Sequence, residues 1–400
     1  MKKNIEIALT IFVTLCYIRF FEPAFMSNRL LNYGQFLSVF IALILGVPKM
    51  FNYPARFKFP MILLVFSLVV SIFMAMFYWD QSLEHTLLST YEHLIVVFFF
   101  FIASSQITIR DFERIIIGMG LIYLALFFVQ YVSLPAILFG KSHWGSDEFV
   151  ERRGTIRFIF PSAGIFFLMS FISFNKLTQK AKPMWLFLSL SFLGIFLPII
   201  QVTRQFIAAT ALIFGYNLIK SISAVNRVVL LLVLAIGVQF VLNSDIKVIE
   251  ALLEQSKSDI AEGSDYIRLQ AADFFLFEFS PNWVTAIFGN GIPLWNQSNY
   301  GVYIAMLQSK HGFFLEDVGI IGYYAQIGIF GVFAFALFWF YSFYYALPRE
   351  YHYLKYYLWF LLLTGLTWYS IYHYHYLLIT TMVLGMYQKL SETSQFDETN

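Results

Sequence analysis

Apolar residues run along this chain in unbroken blocks separated by short polar joints. The blocks cover 4–21, 32–50, 59–79, 87–105, 113–133, 158–175, 184–202, 205–222, 228–243, 319–346, 356–370 and 372–388. Most approach the roughly 20 residues that a helix needs to cross about 30 Å of hydrocarbon. None shows the apolar–polar alternation over segments of about 10 residues that marks a membrane β-barrel. An irregular stretch in lipid would leave backbone N–H and C=O groups without partners, so helices are the expected elements. The pattern predicts an all-α, polytopic membrane protein of about 12 helices. Two points are soft: Asn217 interrupts one block, and 356–388 reads either as a broken pair or as one long helix.

The polar joints carry a directional signal. With the N-terminus inside, the inner joints hold Lys2, Lys3, Lys49, Arg56, Lys58, Arg110, Arg114, Lys176, Lys180, Lys182, Lys220, Arg227, Arg349, Lys355 and Lys389, more than half of the 26 Lys and Arg. Most of the others fall near 134–157 and 244–318, and long outer loops translocate largely regardless of charge. The expected topology is N-in and C-in. The chain then divides into helices one to five (1–133), an outer Arg segment with helices six to nine (134–243), a large outer loop (244–318), helices ten to twelve (319–388) and a polar cytoplasmic tail expected to be disordered (389–400). Lys2 and Lys3 before an apolar run imitate a signal peptide, but no small-x-small site follows, so the run is expected to be a retained first helix.

Composition narrows the classes further. Hydrophobic residues make up 59% and charged residues only 12%, against about 25% in soluble domains. That excludes a soluble globular enzyme, and the same figures exclude disorder. The net charge of +2 adds little. Cys16 is the single cysteine, so no intramolecular disulfide can form. The aromatic share of 20%, led by 48 Phe, is mostly lipid-facing or packing material.

Against this background the 244–318 loop stands out. Unstructured loops beyond about 15 residues are uncommon and often functional. Two segments in it, 246–257 and 264–279, read as amphipathic helices, the second capped by Ser264 or Asp265. Arg268 falls on the second. Further on come the Gly289-Asn290-Gly291 turn and Lys310-His311-Gly312, with Glu316 and Asp317 directly before the tenth helix. A guanidinium fork matches phosphate oxygens, and a histidine accepts a proton from a hydroxyl near neutral pH. Arg268 reads equally as a lipid-headgroup contact, and His311 as a solvated loop residue.

Four other places carry charge against the background. Arg204 lies between two apolar runs with no room for a loop, either as a diphosphate clamp or as a residue snorkelling to headgroups. Glu151-Arg152-Arg153-Gly154-Thr155-Ile156-Arg157 precedes the sixth helix on the outer side, as an anion site or as a phospholipid-facing patch. Glu92-His93 sits inside the fourth block and reads as a buried pair satisfied with neighbouring helices. His373 and His375 lie in the belt Tyr372-His373-Tyr374-His375-Tyr376, which reads as structural. No spacing suggests zinc, no Walker loop is present, and no Asp-x-Asp signals a metal-bound nucleotide sugar.

In order, these pieces resemble the O-antigen ligase and Wzy-like polymerase superfamily: Arg153-Gly154 to Arg157 before Phe160-Pro161-Ser162, Thr203-Arg204, Arg268, Gly289 and Gly291, then His311, Leu315, Glu316, Gly319, Gly322, Gly328 and Gly331. The likeness covers about 150–331, and the N-terminal third by hydropathy alone. The family often has Asn directly after the histidine, where this chain has Gly312. The resemblance implies a C-type glycosyltransferase at the outer face of the bacterial inner membrane. It would join undecaprenyl-diphosphate-linked oligosaccharide repeat units into O-antigen, capsule or exopolysaccharide, one lipid-linked unit as donor and another as acceptor. His311, Glu316 and Arg268 would be the catalytic residues, with Arg204, Arg157, Arg153 and Arg268 binding the diphosphate. No cofactor, metal or nucleic acid is implied; membrane lipids, a chain-length regulator and a flippase of the same pathway are the expected companions. Two alternatives stay open: ligation of finished glycan to lipid A core, and a flippase for lipid-linked oligosaccharide, which would place its charges at the membrane midplane.

Overall fold

A computed structural model describes residues 2–52, 55–142, 151–152, 155–156, 158–201, 203–221 and 266–398. The described helices are α1 (Lys2–Tyr17), α2 (Asn28–Asn52), α3 (Lys58–Trp79), α4 (Leu83–Thr90), α5 (Phe98–Ser104), α6 (Ile109–Val132), α7 (Ala163–Thr178), α8 (Met184–Ile200), α9 (Arg204–Ser221), α10 (Ile267–Asp273), α11 (Trp283–Phe288), α12 (Asn299–His311), α13 (Ile320–Tyr344), α14 (Tyr353–Gly365) and α15 (Tyr374–Glu398). A 3₁₀ segment, Tyr91–Val97, joins α4 to α5. Among the described residues five helical stretches are long and apolar enough to cross a membrane: Asn28–Asn52, Lys58–Trp79, Leu83–Ser104, Ile109–Val132 and Ile320–Tyr344. Ala163–Thr178 and Met184–Ile200 are shorter and equally apolar. This is the architecture expected of an all-α membrane protein.

Helix α3 explains how such a sequence sorts its faces. Phe59, Phe66, Val69, Phe73 and Phe77 form an exposed stripe at helical spacing, whereas Met61, Leu64, Ser67, Leu68, Ser71 and Ala75 are buried on the other side. Both faces are apolar, as lipid on one side and protein on the other require. The small residues on this face admit close neighbours: Ser67 meets Gly331 of α13, and Ser71 and Ala75 meet Gly291. Helix α5 and its approach are inner core instead: Phe98, Phe99, Phe100 and Phe101 are all buried.

Several expectations need correction. The block 228–243 and the helix expected over 246–257 lie outside the described residues. The helix expected over 264–279 begins at Ile267, has Tyr266 at its N-cap with no side-chain cap bond, and continues as a π-helical turn over Phe274–Glu278. The 356–388 block is a pair of helices, separated by residues 366–373. The polar tail belongs to α15, which runs on to Glu398. Short antiparallel strands, which hydropathy did not signal, pair β1 (Lys141–Ser142) with β4 (Phe158–Ile159), and β2 (Glu151–Arg152) with β3 (Thr155–Ile156).

The main irregularity lies in α13. At Gly328 (φ +72°, ψ −174°) the helix breaks. The Gly289-Asn290-Gly291 turn docks into the break: the Asn290 amide donates to the Ala325 carbonyl (2.9 Å) and the Gly291 amide to that of Gln326 (2.8 Å). The Ser67 hydroxyl donates to the Ile327 carbonyl. Backbone meets backbone here, since a Cβ on Gly289 or Gly328 would collide with the other strand's main chain. Gly289 also has φ +83°. The Gly-x-Gly turn, a weak ligand signal in the sequence, is a structural joint.

Gly328→Ala and Gly289→Ala are each predicted to lower the thermal unfolding midpoint in detergent, since a side chain at positive φ costs about 1–3 kcal/mol before any collision is counted. Gly118→Ala, at a helical position with open space around it, should leave the midpoint unchanged or raise it. An unaltered midpoint for Gly328→Ala would refute the joint.

Candidate functional site

Helix α12 places His311. Ser298 caps its N-terminus, the hydroxyl accepting from the Gly301 amide (3.0 Å). At the other end Gly312 turns left-handed (φ +69°), its amide donating to the Gln308 carbonyl (3.0 Å) while the Phe313 amide donates to that of Leu307 (3.3 Å). This left-handed terminator favours Gly or Asn, and the chain has Gly312 there. His311 is exposed, and its ring lies 5.6 Å from that of Phe313.

Helix α10 brings Arg268 to the same place. A Cβ on Gly312 would lie 3.4 Å from the Ile267 side chain, so the start of α10 packs against the end of α12. Phe274 and Phe313 are in ring contact (5.4 Å). Arg268 pairs with Asp317 (3.4 Å), on the 3₁₀ turn Leu315–Val318 that leads into α13. The Arg268 side chain is 35% exposed, so this pair is worth at most about 1 kcal/mol. It uses one terminal nitrogen and leaves other donors of the fork for a ligand.

Glu316 neighbours that pair. Burial, partly offset by a hydrogen bond from its own backbone and reinforced by the Asp317 charge, pushes its carboxyl up to about 7. Such a group exchanges a proton near neutral pH, as a general acid or base must. Its backbone carbonyl accepts from the Tyr369 amide (3.2 Å).

Arg204 is the first residue of α9 and is half-buried. A cation there sits at the positive end of the helix dipole. The next residue, Gln205, accepts from the Thr367 hydroxyl (3.4 Å), and Phe206 packs on Trp368 (5.5 Å). The loop 366–373 therefore touches the start of α9 through Thr367 and Trp368, and the 315–318 turn through Tyr369.

Among the sequence candidates, then, Arg268, His311 and Glu316 lie together with Asp317, and α9 carries Arg204 to the loop that contacts Glu316. Arg153 and Arg157 lie outside the described residues. Glu92 and His93 are not a mutual pair. Glu92 accepts from Gln35 (3.4 Å), and its carbonyl accepts from the Tyr17 hydroxyl (3.1 Å). His93 instead packs on Tyr372 (5.7 Å) with Nδ1 unpartnered. Sequence reasoning missed the structural roles of Asp317, Tyr369 and Thr367. It also missed a buried cluster at the end of α1, where Glu22 binds Arg19 (2.8 Å) and Lys141 (3.3 Å). Arg19 and Glu22, opposite charges three residues apart at the end of an apolar block, were a readable signal for that pair. Among the described residues no group of three or more His, Cys, Asp or Glu is placed to hold a metal ion.

No protein-family model matches the chain, and no curated protein matches it in sequence.

A carboxyl whose folded pKa is raised stabilises the fold least when ionised. The penalty from Glu316 is absent below about pH 4.5, its ordinary value, and grows as pH rises toward and through about 7. Glu316→Gln is predicted to gain thermal stability over the unsubstituted protein between pH 5 and 8, with little difference at pH 4.5. A difference in midpoint that stays constant with pH would refute the assignment.

Proposed function

We propose that this protein is a membrane glycosyltransferase that joins undecaprenyl-diphosphate-linked oligosaccharide repeat units at the outer face of the bacterial inner membrane, with both termini in the cytoplasm. The observation that carries this reading is the grouping of Arg268, Asp317 and Glu316 at one short turn, with the end of the His311 helix packed against Ile267 beside Arg268 and the Arg204 helix joined to the turn through residues 366–373. In a chain with 12% charged residues, such a concentration of cations and proton carriers is costly unless a ligand uses it.

The chemistry follows from the side chains. Arg268 and Arg204 hold the diphosphate of the donor at the end of the bundle. The acceptor is a sugar hydroxyl on a second lipid-linked unit, and its oxygen attacks the donor's anomeric carbon. The bond from that carbon to the diphosphate oxygen breaks, and its electron pair leaves with undecaprenyl diphosphate. The hydroxyl proton passes to the His311 imidazole, with Glu316 as the adjoining acid–base group. Positive charge already in place lowers the barrier to departure of the diphosphate, since no reorganisation is needed at the moment of reaction. Anchoring both substrates in one membrane removes much of the entropic cost of bringing them together. A chain-length regulator and a flippase of the same pathway are the partners this reading implies.

Purified protein in lipid nanodiscs, supplied with undecaprenyl-diphosphate-linked repeat units, is expected to build a ladder of products. His311→Ala and Arg268→Ala should each slow it by about 100-fold or more while unfolding at a normal temperature. Ladders of ordinary length and rate from both variants would remove the site assignment, and transfer to lipid A core alone would replace polymerase by ligase.

A further inference from the structure

The loop that links the two halves of the candidate site has a second face. Trp368, Tyr369, His373 and Tyr374 are all half-buried. Their rings lie edge to face or tilted around His373, at 5.6 Å for Trp368, 4.6 Å for Tyr369 and 4.5 Å for Tyr374. The His375 amide donates to His373 Nδ1 (3.3 Å), so in the neutral ring the proton is on Nε2. The sequence offered this belt as packing material; the structure makes it an aromatic box around an oriented imidazole.

Beside the box lies the buried cluster at the end of α1. Glu22 Oε1 receives Arg19 (2.8 Å), Lys141 (3.3 Å) and the Tyr374 hydroxyl (3.4 Å). Its other oxygen receives nothing. Among the described residues, Glu22 Oε2, Arg19 Nε and His375 Nε2 are buried without a hydrogen-bond partner, and each of these residues is at most 8% exposed. Each unmade bond of this kind is costly, and native structures hold few of them without a reason. Three within one cluster that shares Tyr374 with an aromatic box call for a ligand that fills all of them together.

The character of the unpaired atoms says what that ligand is. Glu22 engages both Arg19 and Lys141 through one oxygen, and the unpaired atoms include an acceptor that a diphosphate, which only accepts, would leave unfilled. The cluster offers an acceptor in Glu22 Oε2, a donor in Arg19 Nε–H, and an imidazole nitrogen of either kind. Hydroxyl groups both donate and accept, and a pyranose ring presents them around an apolar C–H face that aromatic rings cover. We propose that Trp368, Tyr369, His373 and Tyr374 form a sugar-binding subsite, with Glu22 and His375 taking the ring hydroxyls. This inference rests on the glycosyltransferase reading and names the acceptor side of it, since the loop that carries the box bonds the candidate site's turn from the Tyr369 amide to the Glu316 carbonyl.

The test measures binding apart from turnover. Saturation-transfer NMR on nanodisc-embedded protein, with free glucose, galactose, rhamnose and N-acetylglucosamine as probes, should show transfer to the C–H face of at least one sugar. Trp368→Leu and His373→Ala should weaken that signal on the order of 10-fold, and the milder Tyr374→Phe, which keeps the ring and removes one donor to Glu22, should weaken it less. His311→Ala and Arg268→Ala should leave it intact. In the ladder assay the box variants should raise the acceptor KM and spare kcat. No sugar signal in the unsubstituted protein, or equal binding and unchanged KM in Trp368→Leu and His373→Ala, would overturn the subsite. The polymerase reading would then still stand on His311→Ala and Arg268→Ala. Conversely, sugar binding that depends on the box, together with normal ladders from His311→Ala and Arg268→Ala, would keep the subsite and remove the proposed catalytic assignment.

Discussion

A broken helix in an apolar bundle must have its carbonyls satisfied, and the part of this structure that carries the candidate site is arranged around that requirement. At Gly328 the main chain of α13 leaves helical conformation, and the oxygens of Ala325, Gln326 and Ile327 need donors. Unbonded, each would cost several kcal/mol in hydrocarbon. The Asn290 and Gly291 amides, the Asn290 side chain (3.0 Å to Ala325) and Ser67 supply them. Glycine on both sides of Asn290 is what lets two backbones meet. The joint thus pins a long loop to the bundle at an interior point rather than at its ends.

The chain beyond Gly291 inherits that fixed position. The Gln81 side chain receives the Leu294 amide (3.1 Å) and the Ser298 hydroxyl (2.7 Å), and donates to the Ile292 carbonyl (3.0 Å). Trp79 stacks on Tyr300 (4.5 Å) and donates to Asn290 (3.2 Å). Helix α12 therefore begins from a tethered end and carries His311 a fixed distance away, where α10 and the 315–318 turn meet it. The second tether is the 366–373 loop, which bonds to that turn through Tyr369 and to the start of α9 through Thr367. An exposed histidine and a half-exposed arginine are held by contacts to interior groups, so their positions do not depend on the loop's own stability.

Much of this was legible in the sequence because the apolar blocks record a solvent, and lipid admits few alternatives to helices. The blocks place most described helices within a few residues, and Arg268, His311 and Glu316 were singled out because charge is scarce. Pairings between distant segments leave no such record. Nothing in Gly289-Asn290-Gly291 says that its partner is a helix break some forty residues on. Nor does Tyr369 announce a bond to Glu316, since one backbone amide is like another. Glu92-His93 misled for a related reason: adjacency in sequence suggested a pair, whereas on a helical segment neighbouring residues point apart, and here Glu92 meets Gln35 on α2 while His93 meets Tyr372 in the 366–373 loop.

The burial of Glu316 ties these two levels together. Ionised, it would set a second carboxylate beside Asp317 and compete with an incoming diphosphate for Arg268. Burial holds its carboxyl near neutrality, so at neutral pH a sizeable fraction of the protein carries it uncharged, and Arg268 then faces only the Asp317 carboxylate. The same burial follows from the turn being clamped between α13 and the Tyr369 loop, where Gly322 permits the Leu315 carbonyl to approach and Gly319, at φ +54°, permits the 365–366 backbone. On the proposed reading, close packing at two glycines keeps one acid neutral, and that neutrality keeps the arginine available to an anion. The positive character of the site is then a consequence of how tightly the turn is packed as much as of how many arginines the sequence supplies.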